Sequence, residues 1–124
     1  MKTLIFVTAD SCRSQLEGLT QRLVSALPGS TIYQHTDLCH VLRDVLNNHV
    51  DAVFLGAEMD KMDSLEFVQM LRRKKSKLPI FMIAQTEERR EEALEAGAND
   101  YFVRPVTEQQ LRDAFQVVNR ECFE

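Results

Sequence analysis

The chain has 124 residues, 44% hydrophobic and 27% charged, with three prolines and four glycines; this length and mix fit one globular domain and exclude disordered, collagen-like and repeat architectures. A net charge of −4 argues against a domain that grips a phosphate backbone on its own, because non-specific nucleic-acid affinity needs a basic surface. No apolar run approaches the roughly 18 residues of a bilayer span, and the opening KTLIFV lacks the length and cleavage site of a signal peptide, so a cytoplasmic location is expected.

In chain order, residues 4–7 (LIFV) are a short run of branched and aromatic side chains, the mark of a fully buried strand. Asp10 or Ser11 can then cap a helix whose Leu16, Leu19, Leu23 and Leu27 recur at helical spacing until Pro28 and Gly29 stop it. Residues 31–35 predict a weaker, more polar strand. A second helix starts near Asp37, carries Leu38, Val41, Leu42, Val45 and Leu46 on one face, and ends at Asn47 and Asn48. Residues 51–55 (DAVFL) predict the third strand.

Asp63 and Glu66 then have the spacing of a capping box, in which each satisfies a free backbone N–H at a helix start. Leu65, Val68 and Leu71 supply that helix's buried stripe, and the basic cluster Arg72, Arg73, Lys74, Lys75 and Lys77 closes it. Residues 79–84 are another apolar strand, residues 87–96 a charged helix closed by Gly97, and residues 101–103 the last strand. Thr107 and Gln110 form a second capping box before a helix whose core face is Leu111, Ala114, Phe115 and Val118.

Strand and helix thus alternate five times, and the central strands are apolar throughout, so both faces of the sheet must be covered. The expected fold is α/β, a flavodoxin-like (βα)5 doubly wound parallel sheet in three layers, strand order 2-1-3-4-5, with one domain over residues 1–124. Its site should lie outside the carboxyl ends of the strands, where the order reverses. The residues there are Thr8, Ala9 and Asp10 after the first strand, Gly56 after the third, Ala84 after the fourth and Arg104 after the fifth.

The segments MDKMDSLEF, PIFMIA and EEALEAGANDYFVRPV carry a resemblance that covers essentially the whole chain, EALEAGANDYFVRPV being its most specific piece. The sequence resembles the receiver domains of bacterial two-component response regulators. Receivers of that family take phosphate onto an aspartate ending the third strand, hold Mg²⁺ with an acidic pair after the first, and add a Thr or Ser and a Lys. In that frame Gly56 stands at the phosphoacceptor, Thr8 and Ala9 at the acidic pair, Ala84 at the hydroxyl residue and Arg104 at the lysine.

Each departure removes one requirement of the chemistry. Glycine has no carboxylate to attack a phosphohistidine, and Thr8, Ala9 and Gly56 offer none of the side-chain carboxylate oxygens that a hard cation wants. Ala84 cannot hydrogen-bond a phosphoryl oxygen, and the planar fork of Arg104 is no like-for-like substitute for an ammonium point charge. The resemblance therefore implies a degenerate receiver: not an enzyme, with no cofactor or metal, signalling by protein contact without phosphorylation. It also implies a homodimer and an attached output domain, with no membrane and no direct nucleic-acid contact by this domain, as the regulatory part of a response or transcription regulator.

Two other readings stay open. Asp10, Glu58 or Asp60 could serve as a displaced acid in an active receiver, or the vacated crevice near Arg104 could take a small anion, unless Phe54, Met59 or Phe102 fills it. The plainer reading makes Asp10 a helix cap and leaves Glu58 and Asp60 in water; Arg104 can also pair with one of the three acids and lock the loop. Tyr101 matches the family's mobile aromatic, and with no hydroxyl at Ala84 to draw it, one preferred position is expected, as surface anchor or as core cover.

Arg90, Glu91 and Glu95 of the charged fourth helix and Arg112 of the last helix join Tyr101 in the expected interaction face. The cluster at 72–77 is either a partner patch or a complement to the negative end of its helix dipole. His35, His40 and His49 lack the spacing of a helical metal pair, and Cys39 and its neighbour His40 point apart on a helix. The odd, widely spaced Cys12, Cys39 and Cys122 favour reduced thiols, and no phosphate loop or nucleophile elbow appears.

Overall fold

The computed structural model describes residues 3–74 and 76–123, with side chains up to residue 117. Its strands are β1 (Ile5–Ala9), β2 (Thr31–His35), β3 (Ala52–Gly56), β4 (Ile80–Ala84) and β5 (Asp100–Val103). Between and after them come α1 (Arg13–Ala26), α2 (Leu38–Asn47), α3 (Ser64–Arg73), α4 (Arg90–Ala96) and α5 (Glu108–Phe123). All strand pairs are parallel, in the order β2-β1-β3-β4-β5. No helix of the described residues is long and apolar enough to cross a membrane.

Side chains alternate across the strands, so the sheet feeds two cores. Val7, Ala9, Val53, Leu55, Ile80, Met82 and Ala84 pack under Leu38, Val41, Leu65, Val68, Leu71 and Ala93 of α2, α3 and α4. Phe6, Phe54, Phe81, Ile83 and Phe102 pack on the other face under Leu19 and Leu23 of α1 and Leu111, Ala114 and Phe115 of α5. On that second face the rings run across four strands: Phe6 meets Phe54 edge-on at 5.7 Å, and Phe54 stacks on Phe81 at 5.1 Å. Such aromatic pairs add about 0.5–1.5 kcal/mol each beyond the area they bury.

The helix ends follow their local chemistry. Thr107 and Gln110 realise the capping box in both directions: the Gln110 N–H donates to Thr107 Oγ1 at 3.1 Å, and the Thr107 N–H donates to Gln110 Oε1 at 2.9 Å. Asp63 caps α3 by accepting from the Leu65 N–H at 3.0 Å, whereas no return bond from Glu66 is found among the described residues. Gly97 ends α4 at φ 119°, a conformation that a side chain resists.

Several expectations need correction. The N-cap of α1 is Cys12, not Asp10 or Ser11. Leu46 is 60% exposed, because α2 lies over the β1–β2 edge of the sheet, which covers Leu38 and Val41 but not a whole stripe. The fourth helix begins at Arg90 rather than residue 87.

Arg72 is not part of a solvated patch. Its Nε donates to Gly97 O at 2.9 Å, Nη1 to Ser76 O at 3.0 Å and Nη2 to Asn99 Oδ1 at 3.0 Å, bolting the end of α3 to the end of α4. Burial lowers its guanidinium below the ordinary arginine value. The expected roles of Lys75, and of the side chains of Val118 and Cys122, lie outside the described residues.

Candidate functional site

The chain leaves the sheet after β1 at Asp10, which is only 5% exposed. Its Oδ1 accepts from the Cys12 N–H at 2.9 Å, a side-chain turn of the kind aspartate favours, and its Oδ2 accepts from Nη2 of Arg104. Arg104 is anchored at the sheet by its own N–H, which donates to Ala84 O at 2.8 Å. Its second amino group, Nη1, donates to Glu58 Oε1 at 2.9 Å.

Glu58 Oε2 accepts in turn from the Gln85 N–H at 3.4 Å, and Ser11 Oγ accepts from the Asp60 N–H at 2.7 Å. The loops after β1, β3, β4 and β5 are thereby tied together around one guanidinium. The two limbs of the tie differ in strength. Asp10 and Arg104 have side chains 7% and 18% exposed, so their pair is desolvated and costly to break from one side. Glu58 is 54% exposed, and a pair so wet is worth about 0–1 kcal/mol.

Gly56 ends β3 beneath this network. A Cβ built there would lie 3.1 Å from Asp10 Oδ2 and 3.2 Å from Ala9 O, tighter than ordinary carbon contacts. The Asp10 carboxylate thus occupies the space that a side chain at 56 would need, and glycine is what permits the approach.

The other positions named from the sequence turn away. Thr8 is fully buried and its hydroxyl shares a 3.0 Å hydrogen bond with Thr20 of α1, which corrects its expected place in the crevice. Ala9 and Ala84 are buried in the core beneath α2–α4. Asp60 reaches the network through its backbone N–H. Phe54 and Phe102 belong to the core under α1 and α5, and Met59 packs against the opposite core, so none of them fills the space beside Arg104.

This oxygen set does not fit Mg²⁺. One carboxylate after β1 is already committed to a guanidinium, β3 offers none at Gly56, and among the described residues no group of three or more His, Cys, Asp or Glu could hold a metal.

Tyr101 is 1% exposed, which overturns its expected role as a surface anchor. Its hydroxyl donates to Thr86 O at 2.5 Å, and the Arg90 guanidinium lies 5.2 Å from its ring centre. Burial pushes its phenol above the ordinary value, with Glu58 and Glu87 adding in the same direction. Arg90, paired with Glu87 at 2.5 Å, and Arg112, 3.1 Å from Gln109 Oε1, stand at the surface with the exposed Glu91 and Glu95.

Sequence reasoning missed the contributions of Ser11 and Gln85. Nothing in their residue types signals them, since one acts through a loop-to-loop bond and the other through its backbone.

Comparison with known proteins places these features. The family profile described as response regulator receiver domain matches residues 6–116. The chain is 33% identical over 113 residues to the cyclic di-GMP phosphodiesterase response regulator RpfG of Xanthomonas campestris pv. campestris, covering 88% of this chain and 30% of that protein. It is 30% identical over 107 residues to response regulator MprA of a Mycobacterium species, covering 85% of this chain and 46% of that one. The chain therefore spans less than half the length of these curated relatives. The receiver domain of the Francisella response regulator 1452 shares the fold at a TM-score of 0.84 and 16% identity, over 97% of this chain and 99% of that one.

Proposed function

The chain belongs to the family of response regulator receiver domains, and from that premise we propose that it is a pseudo-receiver, a signalling module that works without phosphorylation. The observation that carries this reading is the Asp10–Arg104–Glu58 bridge laid over the bare Gly56. A phosphoryl group would draw the same loops together through a covalent event; here a permanent guanidinium does so, and Tyr101 is already held inward by Thr86 O.

Such a module acts by protein contact. The surface charges of Arg90, Glu91, Glu95 and Arg112 set partner choice or self-association as a homodimer. Its output, transcriptional or other, comes from an attached domain, in keeping with relatives of which the matched segment makes up 30% and 46%. It acts in the cytoplasm and leaves nucleic-acid contact to that domain.

The test is incubation with acetyl phosphate, and separately with beryllofluoride, in the presence of Mg²⁺, followed by intact-mass and ¹H–¹⁵N spectra. The expected result is an unchanged mass and no shifts centred on Asp10 and Gly56. Stoichiometric modification of Asp10, Glu58 or Asp60 would establish an active receiver with a displaced acid instead.

A further inference from the structure

Beside the bridge, α1 and the segment after β5 border a groove that Asp10 and Arg104 close at one end. Its inner part, about 230 Å³, has apolar walls at Leu19, Ile83 and Val106, with Asp10 and Arg104 at one end. Its outer part, about 360 Å³, is bounded by Gln85 and Pro105. Gln15, Arg22 and Arg104 line both parts, so the two are continuous. The volumes approach the range of small-molecule sites.

Two features point to an occupant. Gly18 sits within α1, where glycine weakens a helix relative to alanine, yet a Cβ there would meet nothing within 4 Å. Packing does not demand this glycine; what it does is leave the wall of the groove open. Arg22, exposed and lining both parts, has in contrast to Arg104 no hydrogen-bond or ion-pair partner among the described residues, so its charge is available to a ligand. The groove thus joins the apolar walls of its inner part to two guanidinium groups and the amide of Gln15 that run along both parts, one guanidinium already paired with Asp10 and the other free to meet an anion.

We propose that this groove binds a small organic anion, a carboxylate or phosphate ester on a flat apolar body, with the charge on Arg22 and the body between Gly18, Leu19 and Val106. This inference does not depend on whether the crevice can be phosphorylated.

The experiment titrates the ¹⁵N-labelled chain, without Mg²⁺ or phosphodonor, with benzoate, phenyl phosphate and the neutral isostere benzamide. Benzoate or phenyl phosphate should give saturable shifts at the amides of Gln15, Gly18, Leu19, Arg22 and Arg104, and the tighter of the two identifies the head group. A dissociation constant of about 1 mM suits a probe of roughly ten non-hydrogen atoms. Benzamide should bind about tenfold more weakly, for want of the charge-assisted bond.

Arg22→Gln should erase that preference. Gly18→Leu should abolish saturation while keeping or raising the melting temperature, since the wall has room for the new side chain. The proposal is overturned if neither anion saturates these amides, if benzamide binds equally well, or if Gly18→Leu leaves binding intact.

Discussion

Replacing Arg104 with methionine keeps an aliphatic stem and deletes the fork that joins four loops. The loss can be built from its limbs. Asp10, 7% exposed, is left with the Cys12 N–H as its hydrogen-bond donor, and stranding a fully buried carboxylate costs about 3–5 kcal/mol. The 18% exposure of Arg104 shows that water can reach the gap, which brings this limb down to about 2–3 kcal/mol. The wetter Glu58 limb adds at most about 1 kcal/mol. The sum, about 3 kcal/mol at neutral pH, is a large share of the roughly 5–15 kcal/mol that holds a domain together, and corresponds to a fall in melting temperature on the order of 10 °C.

Urea denaturation at constant m-value measures this directly. Asp10→Ala alone should cost about 1 kcal/mol less, because Arg104 can still turn to Glu58 and water. The double variant should then show a coupling of about 2 kcal/mol. A loss below about 1 kcal/mol for Arg104→Met, or strict additivity in the cycle, would refute the bridge as a structural tie.

Gly56→Ala should destabilise by about 1–2 kcal/mol, because its Cβ falls 3.1 Å from a carboxylate held on both oxygens; the same denaturation series in an Asp10→Ala background should recover part of that loss, the 3.2 Å contact with Ala9 O remaining. Burial pushes the Asp63 carboxyl up, but the Leu65 N–H and Arg89 outweigh it and leave the group below its ordinary value. Its contribution is complete above an unfolded value of about 4 and is lost as pH falls through the lower folded value, so Asp63→Asn, which can still cap, should flatten the acid side of a urea-midpoint profile. Tyr101 has the opposite dependence. With its phenol raised by burial, the stability it lends is full below about pH 10 and declines as pH rises through the folded value. Tyr101→Phe should remove that alkaline decline and cost about 1 kcal/mol at neutral pH for the lost bond to Thr86 O, both visible by calorimetry.

The fold was legible because apolar strands and helical stripes obey periods of 2 and 3.6, and those periods survive in one dimension. Thr107 and Gln110 show a local signal realised in full, since both partners lie within one turn. Leu46 shows the limit of such a signal: periodicity marks a face but not how much sheet lies beneath it. Thr8 was misplaced for want of parity, since Phe6 and Thr8 share a face and the Phe6 core lies under α1. Once the topology brought strand ends together, Arg104 and the acids near the first and third strands were expected neighbours. Which acids it takes, across a separation of 94 residues for Asp10, depends on distances that no spacing rule encodes. Arg72 is of the same kind, its three acceptors lying up to 27 residues away.

The tight fit of Asp10 above Gly56 also governs how this site can be re-engineered. A carboxylate introduced at 56 first would collide with one already there and repel it; Asp10 withdrawn first would leave the cation half-served. Either order passes through a weaker molecule, so positions 10, 56 and 104 behave as a ratchet, and an aspartate at 56 has to arrive together with changes at its neighbours rather than alone.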